Sequence, residues 1–163
     1  LAVGNAHGPS VLALSRQNLP QLRAANDGIS GTNLSARGAY RLQAAQAPRK
    51  VVLVATGSEV EIATKVRSDL EAAGIGADVV SMPSWSRFTA QDKAYRAEVL
   101  GDNVLRVSIE AGTTFGWEAI TGPDGLRFGI DSFGASAPAD VLYDHFGLTP
   151  AKIVPQIIAA LSA

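Results

Sequence analysis

The chain has 163 residues, a formal net charge of −1 and no cysteine. This length fits one substantial domain, or one domain with part of another. The lack of cysteine excludes disulfides and thiolate metal sites, and the near-neutral charge gives no general attraction to nucleic acid or acidic lipid. No signal-peptide pattern and no apolar stretch of roughly 20 residues, the length of a membrane span, is present in the sequence. We therefore expect a cytoplasmic globular protein without nucleic-acid or membrane partners.

Near the start, the apolar run Val11-Leu12-Ala13-Leu14 is followed by Ser15-Arg16-Gln17-Asn18-Leu19-Pro20. Such a run is typical of a buried strand in a parallel sheet, and ligands bind beyond the carboxyl ends of these strands. Arg16 is predicted to lie at that end, where its planar guanidinium suits phosphate or carboxylate. A salt bridge across a domain interface would suit it equally, and the residues alone leave both interpretations open. Because this strand lies so close to residue 1, we expect the chain to begin partway through a larger protein.

Residues 24–33 are rich in turn formers and predict a linker, which places a domain boundary at about residues 21–37. Beyond it, strands and helices alternate. Strands are predicted at residues 51–55, 77–81, 104–109 and 126–130, with a short edge strand at 39–42, and helices at 59–73, 89–100, 140–145 and from 149 or 150 to 161. The first helix is expected to bury the face formed by Val60, Ala63, Val66 and Leu70 and to stop at Gly74. A turn is predicted at residues 82–85, and Thr89 is a candidate N-cap for the second helix. The alternation predicts an α/β three-layer sandwich with a mostly parallel sheet of about five strands.

The turn Thr56-Gly57-Ser58 lies between a predicted strand and a predicted helix, a place where free backbone amides can bind an anion. No G-x-G-x-x-G motif or Walker lysine accompanies it. Ser58 and Glu61 have the S-x-x-E spacing of a capping box, so we favour a capping role for Ser58. Arg106 and Glu110, in and after a predicted strand, are interpreted as solvated side chains.

Other motifs point to no chemistry in this chain. His7 and His145 lack metal-binding neighbours at helical spacing, the aspartates of the last third match no calcium loop, and no G-x-S-x-G elbow occurs. We therefore predict no catalytic, cofactor-binding or metal-binding residue. Arg16 remains the single candidate for ligand binding.

Five motifs, in this order, resemble transketolases. They are Leu14-Ser15-Arg16-Gln17-Asn18-Leu19-Pro20, Ala55-Thr56-Gly57-Ser58-Glu59-Val60, Val79-Val80-Ser81-Met82-Pro83-Ser84-Trp85, Arg106-Val107-Ser108-Ile109-Glu110-Ala111-Gly112 and Gly129-Ile130-Asp131-Ser132-Phe133-Gly134-Ala135-Ser136-Ala137-Pro138. The first is similar to the end of the pyrimidine-binding middle domain, and the others to the C-terminal domain. We expect residues 1–37 to be the tail of the middle domain with a linker, and residues 38–163 to be the C-terminal domain.

The resemblance implies a homodimeric transferase that uses thiamine diphosphate and a divalent metal, Mg or Ca. Such an enzyme moves a two-carbon ketol unit from a ketose phosphate to an aldose phosphate, in the pentose phosphate pathway or the Calvin cycle. Its cofactor and metal residues lie in domains that precede this chain, so the isolated chain is expected to bind neither and to be inactive. Arg16 carries over as the arginine that binds the substrate phosphate. The alternative is a non-catalytic interaction or regulatory domain that supports dimer assembly.

Overall fold

The computed structural model describes residues 2–23 and 33–162. A 3-10 turn at Leu34–Arg37 precedes five strands and six helices in this part of the chain. The strands are β1 (Tyr40–Gln43), β2 (Arg49–Ala55), β3 (Gly76–Ser81), β4 (Leu105–Ile109) and β5 (Leu126–Phe128), and the helices are α1 (Glu59–Ala72), α2 (Trp85–Thr89), α3 (Lys93–Leu100), α4 (Glu118–Thr121), α5 (Ala139–His145) and α6 (Pro150–Leu161). None of these helices is long and apolar enough to cross a membrane.

The strands form one sheet in the order β1-β3-β2-β4-β5. All neighbouring pairs are parallel except the β1–β3 pair, which is antiparallel. Alternate residues of β2 face different layers: Val51 and Leu53 pack with α1 and α6, whereas Val52 and Val54 pack with α2, α3 and α4. A strand covered on both faces needs apolar residues at every position, as β2 has. The predicted three-layer α/β sandwich with a mostly parallel, five-stranded sheet is confirmed.

Helix α1 follows the periodicity of its sequence. Gly74 adopts φ 75°, a conformation that favours glycine, and the amide of Ile75 donates to the Leu70 carbonyl at 2.9 Å. This is the predicted glycine stop. The face that was expected to be buried is buried at all four of its positions, Val60, Ala63, Val66 and Leu70.

The structure differs from the helix predicted at residues 89–100, because two helices share that region and the turn before it. Thr89 ends α2, where its hydroxyl donates to the Trp85 carbonyl at 3.1 Å. Asp92 begins α3 by accepting a hydrogen bond from the Tyr95 amide at 2.8 Å, as an N-cap does. The short α2, which lies partly in a predicted turn, is held by the buried ring of Phe88 rather than by a periodic sequence.

The apolar run 11–14 does not form the predicted buried strand. Val11, Leu12 and Leu14 are 94%, 65% and 83% exposed, and the run pairs with none of the five strands. A strand is buried only where neighbouring strands and covering helices flank it, and the described residues provide neither at this place. Arg16 accordingly lies in an exposed bend and not at the end of a strand. Most of the predicted linker, residues 24–32, lies outside the described residues.

Candidate functional site

The chain leaves β2 toward β3 on one side of the sheet, whereas β4 leads to β5 on the other. In open α/β sheets, the crevice beyond the carboxyl ends of such diverging strands is the usual ligand site. An open cleft of about 360 Å³ lies there. We call it the switch-point cleft; it is lined by Ala13, Leu14, Ser15, Gln17, Thr56, Gly57, Ser58, Glu59, Glu110, Ala111 and Tyr143.

Glu59, the first residue of α1, is a buried carboxylate in this cleft, with 4% of its surface exposed. It accepts hydrogen bonds from the Tyr143 hydroxyl at 2.6 Å and from the Ser58 hydroxyl at 2.9 Å. A negative charge at a helix N-terminus is favoured by the helix dipole. Burial raises the pKa of Tyr143, and the hydrogen bond to Glu59 raises it further. Glu59 therefore ties α5 to the start of α1 through a tyrosine that keeps its proton.

Glu110, which follows β4, is the second carboxylate of the cleft. The Thr56 hydroxyl donates to it at 2.6 Å. Burial raises the pKa of Glu110, the Thr56 hydrogen bond lowers it and the negative charge of Glu59 raises it, so the net pKa lies above the ordinary glutamate value. The expectation that Glu110 is simply solvated is wrong, because the carboxyl ends of β2 and β4 bring it against Thr56 and Glu59.

Arg106 is not a solvated side chain either. Its guanidinium donates to the carbonyls of Leu100 at 3.2 Å and Gly101 at 2.5 Å, and more weakly to that of Ile120 at 3.5 Å. These carbonyls lie at the ends of α3 and within α4, which cover this face of β4. Arg106 therefore holds two helices to the sheet and takes no part in the switch-point cleft.

The predicted capping box does not form. Ser58 has helical dihedral angles and makes no side-chain cap, and its hydroxyl turns to the Glu59 carboxylate. Glu61 pairs instead with Lys65 at 2.6 Å. The anion-binding alternative at this turn is also disfavoured, because Glu59 and Glu110 make the cleft acidic.

Arg16 lies between two residues of the switch-point cleft and is not itself a lining residue. Its neighbours Ser15 and Gln17 line the cleft, and the Gln17 side-chain amide donates to the Tyr143 hydroxyl at 3.3 Å. The Arg16 side chain is exposed and makes no hydrogen bond or ion pair with the described residues. Its role therefore stays a prediction, and no salt bridge within the described part of the chain competes for its charge.

Sequence reasoning missed Glu59, Glu110 and Tyr143. The two glutamates follow predicted strands, so the rule that ligands bind at carboxyl ends was a usable signal for them. Tyr143 carries no local signal, since it reaches Glu59 across 84 residues of sequence. Among residues 2–23 and 33–162, no group of three or more histidine, aspartate or glutamate side chains is placed to hold a metal ion.

Comparison with known proteins decides the family. Residues 38–149 match the model of the transketolase-like C-terminal domain. The chain belongs to this transketolase family. The resemblance drawn from the five motifs is thereby confirmed.

Whole transketolases align with nearly all of the chain. The transketolase of Sinorhizobium medicae is 49% identical over 162 residues, which are 99% of this chain and 23% of that protein. The plasmid-encoded transketolase of Cupriavidus necator is 52% identical over 152 residues, which are 93% of this chain and 22% of that protein. A Pichia stipitis transketolase structure in complex with sedoheptulose-7-phosphate superposes with a TM-score of 0.79 at 36% identity, covering 90% of this chain and 20% of that one. The chain thus spans less than a quarter of the length of these transketolases.

Proposed function

We propose that this chain is the C-terminal part of a transketolase whose whole form transfers a two-carbon ketol unit between a ketose phosphate and an aldose phosphate. The observation that carries the proposal is the 49% identity to a transketolase over 99% of the chain. The sugar phosphate in the related Pichia stipitis structure supports the substrate class. A cytoplasmic location and a place in the pentose phosphate pathway or the Calvin cycle remain predictions from the resemblance.

We assign thiamine diphosphate, the divalent metal (Mg or Ca) and the homodimer's catalytic residues to parts of the enzyme outside this chain. The switch-point cleft does not fit a diphosphate, because Glu59 and Glu110 give it negative charge. Its hydroxyl groups on Thr56, Ser58 and Tyr143 all donate to these carboxylates. No step of the reaction is therefore derived from the cleft itself.

Arg16 is the residue of this chain to which we assign a direct role, the binding of the substrate phosphate. A guanidinium offers two parallel donors to phosphate oxygens, which suits this anion better than a point charge does. Its exposure and lack of a partner among the described residues leave those donors available. Its place beside the cleft is consistent with a site completed by other parts of the enzyme.

The test is Arg16→Ala in the full-length enzyme, with steady-state kinetics on a phosphorylated and an unphosphorylated ketose. Loss of a charge-assisted contact predicts a rise in KM of roughly 10- to 100-fold for the phosphorylated sugar, and a much smaller rise for the other. Arg87→Ala, which removes an exposed arginine from α2 on the opposite face of the sheet, serves as the matched control. A uniform loss, or none, would instead favour the interface salt bridge.

An interaction or regulatory role that supports dimer assembly is the second candidate. It is favoured by the exposed rings of Phe115 and Phe133 in the loops after β4 and β5, since exposed aromatic side chains are typical of contact surfaces. Deleting residues 38–163 from the full-length protein separates the candidates. Loss of the dimer in analytical ultracentrifugation supports the assembly role, whereas loss of activity in an intact dimer supports a direct contribution to the active site.

A further inference from the structure

The segment that carries Arg16 lies along the folded domain and is held at several points. We call residues 15–23 the N-terminal strap. The Ser15 hydroxyl lies 3.4 Å from the position that a Cβ at Gly57 would occupy, and Gln17 binds Tyr143. Farther along, Leu22 packs on the core, and the Arg23 guanidinium lies 6.0 Å from the centre of the Tyr40 ring. The strap therefore contacts the domain on both sides of Arg16.

Among these contacts, the hydrogen bond between Gln17 and Tyr143 is the one whose donor and acceptor can be assigned. A glutamate carboxylate only accepts hydrogen bonds, so the Tyr143 hydroxyl must donate its single proton to Glu59, at 2.6 Å. The oxygen of that hydroxyl is then left as an acceptor, and the Gln17 amide donates to it at 3.3 Å. The raised pKa of Tyr143 keeps the proton in place. The direction of both hydrogen bonds is thus set by the buried carboxylate.

The hydrogen bonds that join Gln17, Tyr143 and Glu59 end at the start of α1. Glu59 is buried, begins the helix and also accepts from Ser58 at 2.9 Å, so its carboxylate has one fixed position. The other end is the exposed side chain of Gln17, whose Cα lies one peptide unit, about 3.8 Å, from that of Arg16. Holding the Gln17 side chain therefore limits where the backbone of Arg16 can lie, although Arg16 itself makes no hydrogen bond or ion pair with the described residues.

We propose that Tyr143 is a positioning residue for Arg16: held by Glu59, it fixes Gln17 and so presents the Arg16 guanidinium beside the switch-point cleft. This inference rests on the proposed phosphate-binding role of Arg16. The C-terminal domain would then contribute to substrate recognition through the hydrogen bond between Tyr143 and Gln17, although the domain supplies no catalytic group.

The experiment compares Tyr143→Phe with Tyr40→Phe in the full-length enzyme. Tyr143→Phe keeps the ring but removes both the acceptor for Gln17 and the donor to Glu59. Any general loss of stability should affect both sugars alike, whereas loss of the Gln17 contact should raise KM for the phosphorylated ketose roughly 3- to 10-fold more than KM for an unphosphorylated ketose. Tyr40 is a buried tyrosine of β1 whose hydroxyl makes no hydrogen bond with the described residues. Tyr40→Phe keeps the ring beside Arg23 and removes only that hydroxyl, so it should match wild type on both sugars. Equal rises on both sugars for Tyr143→Phe would indicate a structural role and overturn the proposal.

Two further variants separate this proposal from the proposed function of Arg16. Gln17→Met removes the amide at similar length and should reproduce the Tyr143→Phe change, and no change would overturn the proposed link. In an Arg16→Ala background, Tyr143→Phe should cause no further rise in KM for the phosphorylated sugar, because both substitutions act on one contact. Additive rises would also refute the proposed positioning.

The single variants distinguish this proposal from the proposed function. If Arg16→Ala is selective for the phosphorylated sugar while Tyr143→Phe behaves as wild type, the positioning role of Tyr143 is refuted and phosphate binding by Arg16 stands. If Arg16→Ala is not selective, the proposed function itself fails.

Discussion

Glu71→Ala is the substitution whose cost follows most directly from the structure. Near the end of α1, one carboxylate oxygen of Glu71 accepts from the backbone amides of Gln46 at 2.9 Å and Ala77 at 3.0 Å, and the other from Ala47 at 3.2 Å. Arg67 lies 4.0 Å away on the same helix. One side chain therefore joins α1 to the β1–β2 loop and to β3.

The magnitude follows from which amides water can reach. The Gln46 amide is exposed and finds water when Glu71 is removed, whereas those of Ala47 and Ala77 are partly buried. At about 1.5 kcal/mol for each charge-assisted hydrogen bond lost, two such bonds give about 3 kcal/mol in the free energy of unfolding. For a domain of this size, Tm should fall by about 6–12 °C.

Glu61→Ala is the matched control, because it makes the same change on the same helix. Glu61 makes a surface pair with Lys65 at 2.6 Å, with both side chains partly exposed. Such pairs contribute about 0.3–0.5 kcal/mol. Urea unfolding at pH 7 measures both variants, and equal losses of stability would refute the assigned role of Glu71.

The dependence on pH gives a second check on Glu71. Burial raises its pKa, but the amides of Ala77, Gln46 and Ala47 and the charge of Arg67 together lower it more, so the pKa lies below the ordinary value of 4.5. The unfolded chain therefore binds the proton more readily. The stabilisation by Glu71 is complete above pH 4.5 and is lost as the pH falls through the lowered folded value. The difference between wild type and Glu71→Ala should accordingly shrink in acid; a difference that grows would contradict this reasoning.

Two other predictions concern the cleft and the isolated chain. Because the pKa of Glu110 is raised in the fold, ionising it costs stability as the pH rises from its ordinary value of 4.5 through the folded value, so Glu110→Gln should gain stability relative to wild type between pH 4 and pH 7. Urea unfolding at both pH values tests this, and a variant whose free energy of unfolding falls relative to wild type toward pH 7 would contradict it. The isolated chain, given thiamine diphosphate, Mg²⁺ and both sugar phosphates, should form no ketol-transfer product by chromatography. Any turnover above a no-protein control would disprove that expectation.

The sequence predicted the elements whose signals are local. Val51-Val52-Leu53-Val54-Ala55 is apolar at every position and forms a central strand, and α1 follows a helical period between a turn and Gly74. The run at residues 11–14 has the same kind of composition but forms no strand, because burial depends on neighbours that composition does not reveal. The boundary between α2 and α3 depended on which polar residue caps a helix, and Asp92 rather than Thr89 does so.

The site was predicted less completely than the fold for the same reason. Arg16 stands out by residue type and by its family motif, whereas Glu59, Glu110 and Tyr143 acquire meaning only when β2 and β4 are adjacent and α5 crosses the start of α1. A strand order that places β2 beside β4 was not predicted from the sequence. The division into residues 1–37 and 38–163 stays a prediction.

The way in which the carboxylates of the switch-point cleft are hydrogen-bonded explains why Arg16 forms no ion pair with them. Glu59 and Glu110 already accept short hydrogen bonds from Ser58, Tyr143 and Thr56, all of them neutral hydroxyl groups. Carboxylates satisfied in this way gain less from an arginine, which would also have to give up its hydration and side-chain freedom to reach them. The hydroxyl groups thus stabilise the carboxylates without neutralising Arg16. A guanidinium held beside the cleft but not paired there keeps its charge for an anion that arrives from solution, which is what the proposed binding of a substrate phosphate requires.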